Sequence, residues 1–278
     1  MMTTARMQRM NHGGQFRAFS LRGEHSAGTL DPFLAVDHAW MSGPTFPPHP
    51  HAGFSAVSYL FLDSETGIDN RDSLDNRNLI QPGGLHWTAS GRGVVHEEVP
   101  AEPGKTVHML QIFINLPVQR QDEPPFVLSI APQDVPVIRT PGVKVRVPLG
   151  SYASLSSPLE LPTEVTMLDI SLQAGTSVKV PIPEGQTAFV LPISGEVWVD
   201  DLPYNMDEPK VPVNLPHTED RIVTLSARDG NLKAVLFHGL PLGQPVHWQG
   251  PLALASSTAL SKAVDAYRHG EFGTLQPR

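Results

Sequence analysis

Short apolar runs, set between prolines and glycines, are the dominant pattern of the chain. Residues 56–62, 110–116, 143–147, 165–172, 187–193, 196–199, 221–225 and 232–237 are β-branched or alternate between apolar and polar, and each reads as a strand. The 28 prolines and 23 glycines between them supply the turns. Many short strands with Gly/Pro turns, and almost no helical periodicity, predict an all-β fold of sandwich or barrel type. One segment departs from the rule. From Ser256 to Gly270 the apolar residues Leu260, Ala263, Val264 and Tyr267 recur at three and four residues. Ser256 or Ser257 can cap the start and Gly270 suits a left-handed stop, so a short helix is predicted there.

A proline-rich stretch at 131–136 lies close to the midpoint. It predicts two domains of similar size, 1–133 and 134–278, the second ending in the helix. A weak internal echo suggests that the halves are related. Pro48-His49-Pro50-His51-Ala52-Gly53 precedes the run 56–62, and Val180-Pro181-Ile182-Pro183-Glu184-Gly185 precedes 187–193. Placing Gly53 on Gly185 sets Pro181 and Pro183 where His49 and His51 stand, which is a frame without the histidines.

Composition then narrows the chemistry. The chain has 278 residues and no cysteine, so disulfides, thiolate nucleophiles and Cys-based metal sites are excluded. Any metal must be held by imidazole and carboxylate, and twelve histidines supply candidates. A net charge of -8 argues against direct nucleic-acid binding. The first residues are basic but lack an apolar h-region, and no apolar run approaches membrane length. A cytoplasmic location and no membrane association are the expectations. There is no Gly-x-Ser-x-Gly elbow, phosphate loop or dinucleotide fingerprint.

His49 and His51 stand two residues apart. On an extended chain residues i and i+2 project to the same face, and Pro50 favours that geometry at His49. Two imidazoles then converge at a distance that one ion can bridge. His96 and Glu98 repeat the device near the end of Gly91-Arg92-Gly93-Val94-Val95-His96-Glu97-Glu98-Val99, with Glu97 pointing the other way. A single pair of this kind is more often two surface histidines; a second pair shifts the balance towards a metal site. Three imidazoles and one carboxylate suit a first-row ion such as Fe(II), Mn, Ni, Cu or Zn. Five- or six-coordination leaves a position open for O₂ or a substrate oxygen, whereas tetrahedral zinc held by all four would be closed and structural.

Other residues carry weaker signals. His86 reads as an alternative ligand or a pocket wall. His108 and Gln111 lie on a strand that could pass near the site. His217, His238 and His247 read as hydrogen-bonded structural histidines. The polar stretch 71–77 reads as a solvated hairpin.

At this point the sequence resembles the pirin family of the cupin superfamily. The resemblance is carried by Leu30-Asp31-Pro32-Phe33-Leu34, Pro47-Pro48-His49-Pro50-His51-Ala52-Gly53-Phe54, Asn70-Arg71-Asp72-Ser73-Leu74, Gln81-Pro82-Gly83-Gly84 and Gly91-Arg92-Gly93-Val94-Val95-His96-Glu97-Glu98. Leu110-Gln111-Ile112-Phe113-Ile114-Asn115-Leu116 and Ile193-Ser194-Gly195-Glu196-Val197 extend it over most of the chain. The resemblance implies two cupin-type β-barrel domains with a short C-terminal helix, and metal only in the first. It implies iron, or less often another divalent ion, on His49, His51, His96 and Glu98. It further implies a quercetin 2,3-dioxygenase acting on a flavonol-like substrate; in such an oxygenase Glu98 is expected to serve both as ligand and as the base that takes the substrate proton. The alternative is a metal-responsive regulatory protein with a protein partner. Ala52, where many relatives have Arg, His86, where many have Gln, and the loop at 62–70 depart from the family pattern. They bear on substrate rather than on the metal set.

Overall fold

The computed structural model describes residues 2–23, 30–276 and 278. Its strands fall where the apolar runs lie. Phe54–Leu60, Val107–Asn115, Val143–Leu149, Val165–Leu172, Thr187–Ser194, Val197–Val199, Arg221–Ser226 and Leu232–Gly239 match the eight predicted runs to within about three residues at each end. No helix among the described residues is long and apolar enough to cross a membrane.

The chain forms two compact units, and a single cut does not describe them. One comprises residues 1–8, 21–32 and 133–241; the other comprises 9–20, 33–132 and 242–278. The body of the chain does change unit between Pro132 and Gln133. The departure from a division into 1–133 and 134–278 lies at the two ends. Met2–Arg6 pairs antiparallel with Lys210–Asn214, so the first strand completes a sheet of the later unit. The segment after Pro241, with the helix, belongs to the earlier one. The reason is apolar. Leu252, Leu254, Leu260, Ala263 and Phe272 form one buried cluster with Ala52 and Val95.

Each unit contains a seven-stranded and a four-stranded sheet. In the first barrel the large sheet runs Phe126–Ile130, Leu85–Ala89, Phe54–Leu60, Val107–Asn115, Phe33–Met41, Phe16–Arg22, Gln8–His12. Its small sheet runs His49–His51, Val94–Pro100, Ile68–Asp72, Arg77–Ile80. The second unit repeats the small-sheet order with Ser177–Ile182, Arg221–Ser226, Val197–Val199 and Leu202–Tyr204.

Register decides what faces inward in the first barrel. Gln111 stands opposite both Ser58 and Asp37, and Ser58 stands opposite His86. Directly opposed residues share a face, so these four form a polar layer on one side of the large sheet. Phe16, Met41, Leu60, Val107 and Met109 make an apolar layer at one end. Phe54 and Ala56, with Leu34 and Phe113, make another at the other end.

The helix runs Ser257–Arg268. Ser256 is its N-cap and accepts a hydrogen bond from the Ala259 N–H at 3.1 Å. Beyond it Gly270 sits in the left-handed region at φ 78°.

Candidate metal centre

The strand His49–His51 is the edge of the small sheet, and Val94–Pro100 pairs with it so that His49 stands opposite His96. The i, i+2 spacing on each strand brings His49, His51 and His96 to one place. One ring nitrogen from each lies within 4.8 Å of the others. His49 Nε2 and His96 Nε2 are 3.2 Å apart. Two imidazole nitrogens each ~2.0–2.1 Å from a single ion, at angles from octahedral to tetrahedral, stand about 3 Å apart. The spacing fits a shared cation.

Proton placement fits as well. His49 Nδ1 lies 2.9 Å from the Pro47 carbonyl, and His51 Nδ1 lies 3.2 Å from the Pro251 carbonyl. A carbonyl only accepts, so both rings carry their hydrogen on Nδ1 and keep the Nε2 lone pair free. With no ion, His96 Nε2–H must donate to His49. That leaves His96 Nδ1 as a buried atom without a hydrogen-bond partner. An ion shared by the rings replaces the His49–His96 contact, since every Nε2 lone pair can then point at the metal; His96 Nδ1 then carries the hydrogen and is still without a partner among the described residues.

Electrostatics keep the rings neutral. Burial holds the His49 ring below its usual range. Burial, with repulsion from His49, pushes His51 down to about 3. Burial and the neighbouring imidazoles hold His96 well below the ordinary value. Neutral imidazole is the form that ligates.

Glu98 shares a strand face with His96 but does not join the three-nitrogen group. Its two oxygens lie 2.9 and 2.7 Å from Ser58 Oγ, which is also 3.1 Å from Gln111 Oε1. Burial raises its pKa to about 7, and the Ser58 hydrogen bond opposes the rise. In the protonated form the chain of hydrogens runs from Glu98 O–H to Ser58 Oγ and from Ser58 O–H to Gln111 Oε1. Glu97 points to the opposite face, where the Arg71 guanidinium holds it at 2.8 Å.

In the same polar layer, Asn70 Nδ2 donates to His86 Nε2 at 3.3 Å, and His86 Nδ1–H donates to Ser129 Oγ at 2.8 Å. Both His86 nitrogens are therefore engaged by neighbouring side chains, and His86 lies outside the three-histidine group. Burial pushes its pKa down to about 4. Gln111 does line the site. His108 does not: three residues from Gln111, it faces the other side of the sheet and pairs with His38 at 2.8 Å and Asp63 at 3.0 Å. His238 is a hydrogen-bonded structural histidine, 2.5 Å from Gln186 Oε1. The hairpin at 71–77 forms, but it is not simply solvated: Asn70 and Asp72 are buried. Asp72 Oδ1 caps the turn by accepting from the Leu74 and Asn76 N–H groups.

Sequence reasoning missed Ser58, Asn70 and an aromatic wall. The His51 ring lies 5.1 Å from Phe54 and 5.6 Å from Phe113. Trp248 lies 5.7 Å from Phe54, and Phe46 lies 6.3 Å from His49. Alternation on strand 54–60 could have flagged Ser58 as inward; no local signal marks Trp248.

Comparison with known proteins finds relatives over most of the chain. The family model described as Pirin matches residues 3–114, and that described as Pirin C-terminal cupin domain matches 167–273. Pirin-like protein 2 of Arabidopsis thaliana is 30% identical over 274 residues, covering 97% of this chain and 83% of that protein. Pirin of Homo sapiens is 30% identical over 250 residues, covering 88% of this chain and 83% of that protein. A crystal structure of quercetin 2,3-dioxygenase from Acinetobacter baumannii aligns with a TM-score of 0.87 at 25% identity, covering 99% of this chain and 98% of that one.

Proposed function

The chain belongs to the pirin family, and from that premise we propose that it is a metal-dependent dioxygenase acting on quercetin-like flavonols. In this reading His49, His51, His96 and Glu98 hold one divalent ion, Fe(II) first among Mn, Ni, Cu and Zn. The observation that carries it is the set of three neutral imidazoles, with one nitrogen each inside 4.8 Å, beside a buried carboxyl group. A bound redox-active ion such as Fe(II) would supply a Lewis acid with positions left for substrate oxygens and O₂.

The protein's own groups do the rest. Glu98 takes the proton of a flavonol hydroxyl and holds it on a carboxyl oxygen, with Ser58 and Gln111 passing the hydrogen-bond chain onward. Phe113 and Trp248, which stay partly exposed and pack on the buried Phe54, offer ring surface to a flat aromatic substrate. The apolar layer around Leu60 and Met109 keeps the far end of the barrel dry. Support from outside the chain is the likeness to the Acinetobacter baumannii quercetin 2,3-dioxygenase.

The test is quercetin turnover by the iron-loaded chain. Loss of quercetin absorbance with matching O₂ uptake, both abolished in His96→Ala, is the expected result. An iron-loaded sample that consumes neither reactant sinks the proposal.

A further inference from the structure

The imidazole of His51 is held from a point two hundred residues further along the chain. Its Nδ1 meets the Pro251 carbonyl at 3.2 Å, and the residues that follow Pro251 are tied down by several contacts. The Leu252 backbone bridges to Ala52 as a short parallel addition to the edge of the small sheet. The Ala253 N–H donates to the Ala52 carbonyl at 3.1 Å. The Ala255 N–H donates to Gln121 Oε1 at 2.9 Å, and Gln121 Nε2 donates to the Leu116 carbonyl at 3.2 Å.

The segment beyond Ala255 grips the outer face of the same small sheet. Leu260, Ala263 and Phe272 pack on Ala52 and Val95. Two glycines make the approach possible. A Cβ on Gly53 would stand 2.0 Å from the Ala253 carbonyl oxygen, and one on Gly93 would stand 2.1 Å from the Phe272 ring. The contacts continue along the strand that carries His96 and Glu98. Ser73 Oγ donates to the Phe272 carbonyl at 2.6 Å and accepts from the Val95 N–H at 3.0 Å. Arg278 Nε donates to Glu97 Oε2 at 2.8 Å. The inner face of this sheet presents the donors while its outer face is clamped.

We propose that residues 251–276 are a positioning strap for the metal centre, in which the Pro251 carbonyl fixes the tautomer and ring plane of His51. This rests on the reading of the histidines as metal ligands. Partners beyond the ligand itself typically change metal affinity about 10–100-fold when removed. The strap supplies that kind of partner from backbone, so loosening it should weaken the metal without touching a donor atom.

The experiment uses the full chain, with cobalt(II) as the probe. Phe272→Ala removes the aromatic anchor; Gln121→Ala removes the hydrogen bonds that hold Ala255 and leaves the apolar cluster intact. Cobalt affinity is measured by chelator competition, the ligand field by the visible spectrum of the bound ion, and folding by far-UV circular dichroism and melting of the metal-free protein. The expected result is cobalt binding about tenfold or more weaker, with a shifted visible spectrum, in variants that remain folded. Folded variants with wild-type cobalt affinity and an unchanged spectrum overturn the strap. If Phe272→Ala does not fold, Gln121→Ala decides. A wild-type chain that takes no cobalt overturns the metal reading itself, and the strap with it.

Discussion

In the second barrel the edge strand Ser177–Ile182 buries Val180 and Ile182, and its partner Arg221–Ser226 buries Val223 and Leu225. They join a continuous aliphatic core with Val145, Leu168, Val190 and Leu236. At the same place in the same sheet order, the first barrel sets His49 and His51 against Val94 and His96. Behind them lie Ser58, His86 and Gln111 in place of aliphatic side chains. One framework thus carries two interiors. Strand order is a matter of backbone pairing and turns, which tolerate either filling. Site chemistry depends on a few inward positions. The alignment of Pro181 and Pro183 with the histidines needs adjusting on this view: Pro181 is exposed, and the inward places belong to Val180 and Ile182.

The contrast is broken most sharply by deleting a donor. His51→Ala should take the first barrel from one metal equivalent to essentially none, a loss beyond the roughly 100-fold seen for supporting residues. Elemental analysis of the purified variant checks it, and a retained equivalent would move the site elsewhere. Next in size, Leu236→Ala in the aliphatic barrel should cost about 2–5 kcal/mol in urea denaturation, since the side chain is fully buried.

The third effect depends on pH. Glu98 has its pKa raised from 4.5 to about 7 in the folded, metal-free protein. Between those values the folded state binds a proton that the unfolded state does not. Its contribution to stability is therefore full below about 4.5 and is lost as pH rises through about 7. In Glu98→Gln that loss is absent. The stability difference between variant and wild type should grow by on the order of 3 kcal/mol from pH 4.5 to 8, read by metal-free denaturation curves. Identical pH profiles would show that Glu98 is not held protonated. His51 and His86, pushed down to about 3 and about 4, act in the opposite sense: they destabilise as pH falls below 6.5, in both proteins alike.

The smallest effect tests where the helix belongs. Ser256→Ala removes the N-cap and should cost about 1 kcal/mol. The loss should appear as faster amide exchange around Val95 and Ala52, on which the helix packs, and leave Val223 and Leu225 unchanged.

Much of the architecture was legible in residue order alone. β-branched runs between glycines and prolines marked the strands because alternation and turn chemistry are local properties. The helix was readable from Ser256 to Gly270 for the same reason. His49, His51 and His96 could be singled out because period-two geometry is intrinsic to an extended chain. The His49–His96 pairing, the Glu98–Ser58–Gln111 hydrogen bonds and the aromatic wall were not readable, since register between strands far apart in sequence is set by the packing of whole faces. The assignment of residues 242–278 to the first barrel was likewise a tertiary decision. Leu252, Leu260 and Phe272 are apolar wherever they are read, but only the folded surface offers Ala52, Val95 and the bare backbone of Gly93 as the place to bury them.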